Sequence, residues 1–153
     1  MKIHTSTGNI TVENISAGSI DIAVTTGRIK ASDITCKNEF IIGVSTGKTE
    51  MTNVKCGSLS SSGSTGWIKM NNVVVSDKLS VERSTGGVTI EGCDAAELNI
   101  ETDTGDVSGT LLSPKLFITK SDTGRIEVPE TTSGGKCRIT TDTGDIRISI
   151  VEN

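Results

Sequence analysis

Residues 142–148 read DTGDIRI, residues 103–109 read DTGDVSG, and residues 6–12 read STGNITV. Taken alone, a D-T-G triad is the mark of aspartic proteases, in which two carboxylates share one proton and activate water. The rest of the chain gives it another meaning. A Thr-Gly pair recurs with its glycine at Gly8, Gly27, Gly47, Gly66, Gly86, Gly105, Gly124 and Gly144, always 19 or 20 residues apart. Self-similarity at one short period over a whole chain marks a repeat architecture.

Counting from each glycine exposes columns. Two residues after it come Ile10, Ile29, Thr49, Ile68, Val88, Val107, Ile126 and Ile146; four after it come Val12, Ala31, Met51, Met70, Ile90, Gly109, Val128 and Ile148. Seven before the glycine lie Ile20, Phe40, Leu59, Leu79, Leu98, Phe117 and Cys137, and five before it Ile22, Ile42, Ser61, Val81, Ile100, Thr119 and Ile139. The positions between are mostly polar, which is the period-two signal of half-buried strands. Nothing sustains a helical period.

A lone coil would bury about five aliphatic side chains, at roughly 1.5–3 kcal/mol each. Fixing its backbone costs about 1–2 kcal/mol for every residue. The coils must therefore stack, each pairing with the next. The expected fold is all-β, a single-stranded parallel β-helix (β-solenoid) of about eight coils of 19–20 residues, filling residues 1–153 as one domain. At about 4.8 Å per rung the rod would be roughly 38 Å long. Thr49, Ser61, Gly109, Thr119 and Thr131 interrupt the apolar columns and mark thinner rungs.

The D-T-G question resolves within its column. The residue two before each glycine is Ser6, Thr25, Ser45, Ser64, Ser84, Asp103, Asp122 or Asp142. Each is a short side chain with an oxygen acceptor, suited to an Asx- or ST-turn onto the N–H two residues on. The glycine supplies the positive φ of a sharp corner. Ser and Thr replace Asp in that task but not as proton-sharing carboxylates. The eight glycines are read as structural corners, with no catalytic residues and no cofactor, and the chain is expected not to be an enzyme.

Composition narrows the partners. The formal net charge is −4, and residues 77–153 carry eight Lys/Arg against fourteen Asp/Glu, so nucleic acid is not an expected partner. Hydrophobic residues make up 33% and aromatic residues 2% of the chain, which suits thin coils better than a conventional core. No apolar run reaches the roughly 20 residues of a membrane span. The pattern is already running at Met1, so the chain reads equally well as part of a longer one.

Several residue groups are weighed as site candidates. Asp103, Asp122 and Asp142 are expected on consecutive rungs, where like charges repel unless N–H groups or a hard cation compensate them, so they are candidate metal ligands. In the column after the glycine, Asp106, Arg125 and Asp145 read as a ladder of alternating sign. Trp67, the single tryptophan, falls on an outward position between Lys48 and Gly87 and is a candidate ligand-binding platform. Cys36 and Cys56 should be neighbours on adjacent rungs, within disulfide reach but expected as a buried thiol pair; Cys93 and Cys137 fall in core columns. His4, the single histidine, has no partners at triad or metal spacing.

The units STGNITVENI, TTGRIKASDI, STGGVTIEGC and DTGDIRISI resemble a bacterial adhesin domain family of unknown function, built of S/T/D-[ST]-G-x-[IV]-x-[IV] repeats. The resemblance spans essentially the whole chain. It implies a right-handed β-helix in proteins often membrane-attached or exported, at the cell surface or otherwise extracytoplasmic. It brings no catalytic residues. The expected role is a binding or adhesion module at the bacterial envelope, with a protein or glycan as partner. The alternatives are a scaffold self-associating through exposed end coils, near Ile3 and Ile148–Ile150, and a polysaccharide-active enzyme. No polar cap is visible at either end of the sequence.

Overall fold

A computed structural model describes residues 1–131 and 133–151, and these contain strands, turns and bends but no helix. The strands are β1 (Lys2–Thr7), β2 (Ile10–Ala17), β3 (Ile20–Thr65), β4 (Ile68–Thr85), β5 (Val88–Thr104), β6 (Val107–Leu111), β7 (Lys115–Thr123), β8 (Ile126–Glu127), β9 (Gly135–Thr143) and β10 (Ile146–Ile150). Every pairing between them is parallel. The chain is a parallel β-solenoid, its eight corners bounding about seven turns. β3 alone winds through more than two repeats, because its corners bend the strand without interrupting it.

The apolar columns face inward as expected. Ile20, Ile22, Ile29, Phe40, Ile42, Leu59, Ile68, Met70, Leu79, Val81, Leu98 and Ile100 are buried, and in-register pairs such as Leu59 with Leu79 and Leu79 with Leu98 stack one side-chain layer on the next. Two interruptions of the columns are local repairs. Gly109 brings a bulge that shifts the register, so that Leu111, not Leu112, pairs with Cys93 and is buried. The Thr131 hydroxyl donates to the Lys115 carbonyl and so closes its own coil.

One expectation fails, and the failure reorganises the C-terminal end. The coils do not stack in sequence order throughout. Leu98 pairs with Cys137, and Cys137 pairs with Phe117; Val107 pairs with Ile146, and Ile146 with Ile126. The corners therefore run Gly105, Gly144, Gly124 through space. The last coil lies between its two predecessors.

Backbone sterics and the ion pair of Lys115 with Asp94, 2.8 Å apart, account for this insertion. Gly134 and Gly135 enter a narrow slot: a Cβ on Gly134 would collide with the Pro114 carbonyl on one side, and one on Gly135 with the Ala96 carbonyl on the other. Both prolines of the chain, Pro114 and Pro129, belong to the Gly124 coil, whose second strand β8 is only two residues long. Proline and short strands suit a sheet edge, where a donor can be missing. The Gly124 coil thus ends the stack. Ile146 and Ile148 are buried, so the exposed edge expected at Ile148–Ile150 lies instead on β7 and β8, where Leu116, Ile118 and Ile126 are exposed.

Candidate functional site

All eight corner glycines have positive φ, between 131° and 155°. Their role is steric as well as conformational. Except at Gly8, which ends the stack, a Cβ at any of them would run into the glycine carbonyl of the neighbouring coil. The expected Asx- and ST-turns are replaced by ladder bonds. The Gly66 N–H donates to the Thr85 carbonyl at 2.9 Å, Gly86 to Thr104 at 2.8 Å, Gly105 to Thr143 at 2.9 Å and Gly144 to Thr123 at 2.9 Å. With the donor committed to the next rung, the residue two before the glycine is left exposed on the surface.

The three D-T-G corners share a device that the sequence reading missed. Each is preceded by an inward hydroxyl, giving T-D-T-G at 102–105 and 141–144 and S-D-T-G at 121–124. These hydroxyls donate to the corner glycine carbonyl of the neighbouring coil: Thr102 to Gly86 at 3.2 Å, Thr141 to Gly105 at 3.0 Å and Ser121 to Gly144 at 2.8 Å. Val24 and Val44 hold the equivalent position in earlier coils. The signal was the residue before the triad, and it becomes meaningful only once the inward phase is known.

Asp103, Asp142 and Asp122 do lie on adjacent rungs, in that order and not in sequence order. All three are exposed. Among the described residues no group of three or more His, Cys, Asp or Glu side chains is arranged to hold a metal ion. The neighbouring column is likewise reordered to Asp106, Asp145, Arg125, so its signs do not alternate. Backbone donors compensate the adjacent acids: the Asp106 carboxylate accepts from the Asp145 N–H at 2.8 Å, and Asp145 accepts from the Arg125 N–H at 2.9 Å.

Trp67 is half-buried, with the Lys48 ammonium 5.1 Å from its ring centroid, a cation–π contact. Gly87, on the next rung, contributes no side chain to its other side.

The outer surface before the corners carries a shallow open groove of about 630 Å³. It crosses four coils. Its floor is Ala23, Gly43 and Ser62, its side is Ser6, Thr25, Ser45 and Ser64, and His4 stands at one end. His4 Nε2 lies 3.4 Å from Asp21 Oδ1 at the surface. The groove exists because small residues occupy two adjacent outward columns over these coils. Farther along the same columns the residues turn acidic, at Glu82, Glu101 and Asp103.

A second unread column lies six residues after the glycine. Asn14, Asp33, Asn53 and Asn72 all have φ between 52° and 55°, and Gly92 continues them at 59°. Asn tolerates this left-handed bend better than most residues. The side chains form a ladder: Asn72 donates to Asn53 at 2.7 Å, and Asn53 to Asp33 at 3.2 Å.

All four cysteines are buried free thiols. Burial, with Cys36 alongside, pushes Cys56 up to about 12; burial pushes Cys93 up to about 11 and Cys137 to about 12. Such thiols stay protonated at neutral pH and are poor nucleophiles. The least expected inward residue is Arg83, only 3% exposed. Its guanidinium fills the space where Gly63 lacks a side chain, donating to the Val44 carbonyl at 3.2 Å and Thr49 Oγ1 at 3.3 Å. The polar break at Thr49 thus serves this arginine, and that at Ser61 lies two residues before Gly63 on the strand the arginine crosses.

A family model described as Toastrack DUF4097 matches residues 35–153. Its description names a domain of unknown function and indicates neither an enzymatic family nor an adhesin. No curated protein and no solved structure matches the chain.

Proposed function

We propose that this chain, which belongs to the Toastrack DUF4097 family, is a non-catalytic binding module at the bacterial cell envelope whose groove receives an extended glycan. The observation that carries the reading is the groove itself: a hydroxyl-lined channel that crosses four coils of the rod. Ser and Thr hydroxyls both donate and accept, which matches the mixed donors and acceptors of a sugar chain. Large apolar anchors of the kind that dominate protein interfaces are missing from its lining. The envelope location is supported by the repeat units alone. Among the described residues no helix is long and apolar enough to cross a membrane.

Gly43 offers a clean test, because a Cβ there meets nothing within 4 Å. Gly43→Arg should fill the groove and leave the coil intact. Titration of envelope-derived glycan fragments, followed by amide shifts of Ala23, Gly43 and Ser62, should show saturable binding to the native protein. The G43R protein should keep its circular dichroism and lose the binding at least tenfold. Shifts produced by peptides and not by glycans would replace the glycan with a protein partner.

A second reading, self-association, is favoured by one observation. The Gly124 coil, which ends the stack, exposes Ile126 of an inward column, with Leu116 and Ile118 (47% exposed) on the outward face of β7. Light scattering across a concentration series should then show growth that Ile118→Lys abolishes. A strict monomer would remove this reading.

A further inference from the structure

In the Gly47, Gly66 and Gly86 coils the inward columns change character at one place. Thr49 and Ser61 stand where other coils carry mostly Ile or Val, Gly63 stands beside Val44 in its column, and Arg83 follows it. Arg83 makes two long hydrogen bonds, both to uncharged oxygens, and among the described residues it has no carboxylate partner. Its Nε and the Ser61 hydroxyl are both buried without any hydrogen-bond partner. Ser61 and Gly63 are alternate inward positions of one strand, and the arginine of the next rung passes over Gly63, so the orphaned groups come from adjacent rungs, two positions apart along the strand.

A buried guanidinium without a counter-charge is among the costliest groups a core can hold. Burial lowers its pKa only to about 10, so it stays charged at neutral pH. Both orphaned groups can donate a proton: Nε–H only donates, and the serine hydroxyl rotates to do so. Two unused donors beside a positive charge that no carboxylate contacts call for a small anion. A water could accept from both donors, but it would leave the charge unbalanced.

We propose that Arg83 and Ser61 bind a monovalent anion of halide size inside the coil stack. Gly63 lines both the long groove and the neighbouring small depression, and Arg83 also borders that depression, so the site lies close beneath the surface. Glu82, Glu101 and Asp103 face outward around that depression and would repel an anion there, which places the ion on the inner side of the strand.

Bromide is the probe. Crystals grown in bromide should show an anomalous peak within hydrogen-bond distance of Arg83 Nε and Ser61 Oγ. In solution, raising bromide or chloride at constant ionic strength with gluconate should raise the Tm by roughly 5–10 °C at a hundredfold excess over Kd. Ser61→Ala should reduce the halide-dependent shift, and Arg83→Met should abolish it. An ordered water at that position with no anomalous peak would overturn the proposal. So would equal halide dependence in the native and S61A proteins, a comparison that stands even if R83M does not fold.

Discussion

At the scale of single residues, the corner glycine is the least replaceable feature of the fold. At Gly47 the φ of 146° disfavours any L-residue, and a Cβ would also collide with the Gly27 carbonyl. At Gly8 the φ of 131° is similar, but a Cβ meets nothing. The pair separates the two causes. Gly8→Ala should cost about 1–3 kcal/mol, the strain of a rarely populated backbone region. Gly47→Ala adds the collision and should cost at least about 2 kcal/mol more, read as the difference between denaturant midpoints at unchanged slope. Equal costs would mean that the neighbouring coil yields readily. The corners were legible in the sequence because glycine recurred at one period. The inward Thr102, Thr141 and Ser121, the Asn ladder and Arg83 were not. Their meaning depends on which way a side chain points and on which coil lies above it.

At the scale of elements, the inserted coil is held by a clamp. Lys115 in the Gly124 coil lies opposite Gly135 of β9, and its ammonium reaches past that glycine to Asp94, 2.8 Å away. Ser113 joins them, accepting from Lys115 at 2.6 Å and donating to Asp94 at 2.9 Å. Arg83 likewise crosses a neighbouring strand at a glycine, and there the guanidinium fills the space that Gly63 leaves. Burial alone would raise the Asp94 pKa. The hydrogen bonds from Lys115 and Ser113, with the lysine charge, outweigh it and hold the carboxyl below its ordinary value of 3.8. A depressed folded-state value contributes stability that is present above the unfolded value and lost as the pH falls through the folded one. The native protein should therefore lose stability progressively below about pH 4 through this pair. Lys115→Met should remove that component and lower neutral-pH stability by about 2–4 kcal/mol, since it strands a partly buried carboxylate. Denaturant melts of both proteins at neutral and acid pH check it; parallel pH profiles would show that Asp94 plays no such part.

At the scale of the molecule, the solenoid was legible and the order of its last coils was not. Two apolar strands per period demand stacking, and a parallel ladder follows. Which coil neighbours which is a separate question, because every rung offers much the same edge. The order is set by local features that the repeat pattern treats as noise: the Gly134-Gly135 pair in its slot, Pro114 and Pro129 at the outer coil, and Lys115 spanning the coil between. The consequence reaches the surface. The Asp columns are permuted, the C-terminal strand is paired on both sides, and the open end belongs to β7 and β8. Scalar coupling across backbone hydrogen bonds, measured by NMR, tests this arrangement most directly. The account predicts couplings from the Gly105 nitrogen to the Thr143 carbonyl carbon and from the Gly144 nitrogen to the Thr123 carbonyl carbon. A coupling from Gly105 to Thr123 would contradict it and return the coils to sequence order.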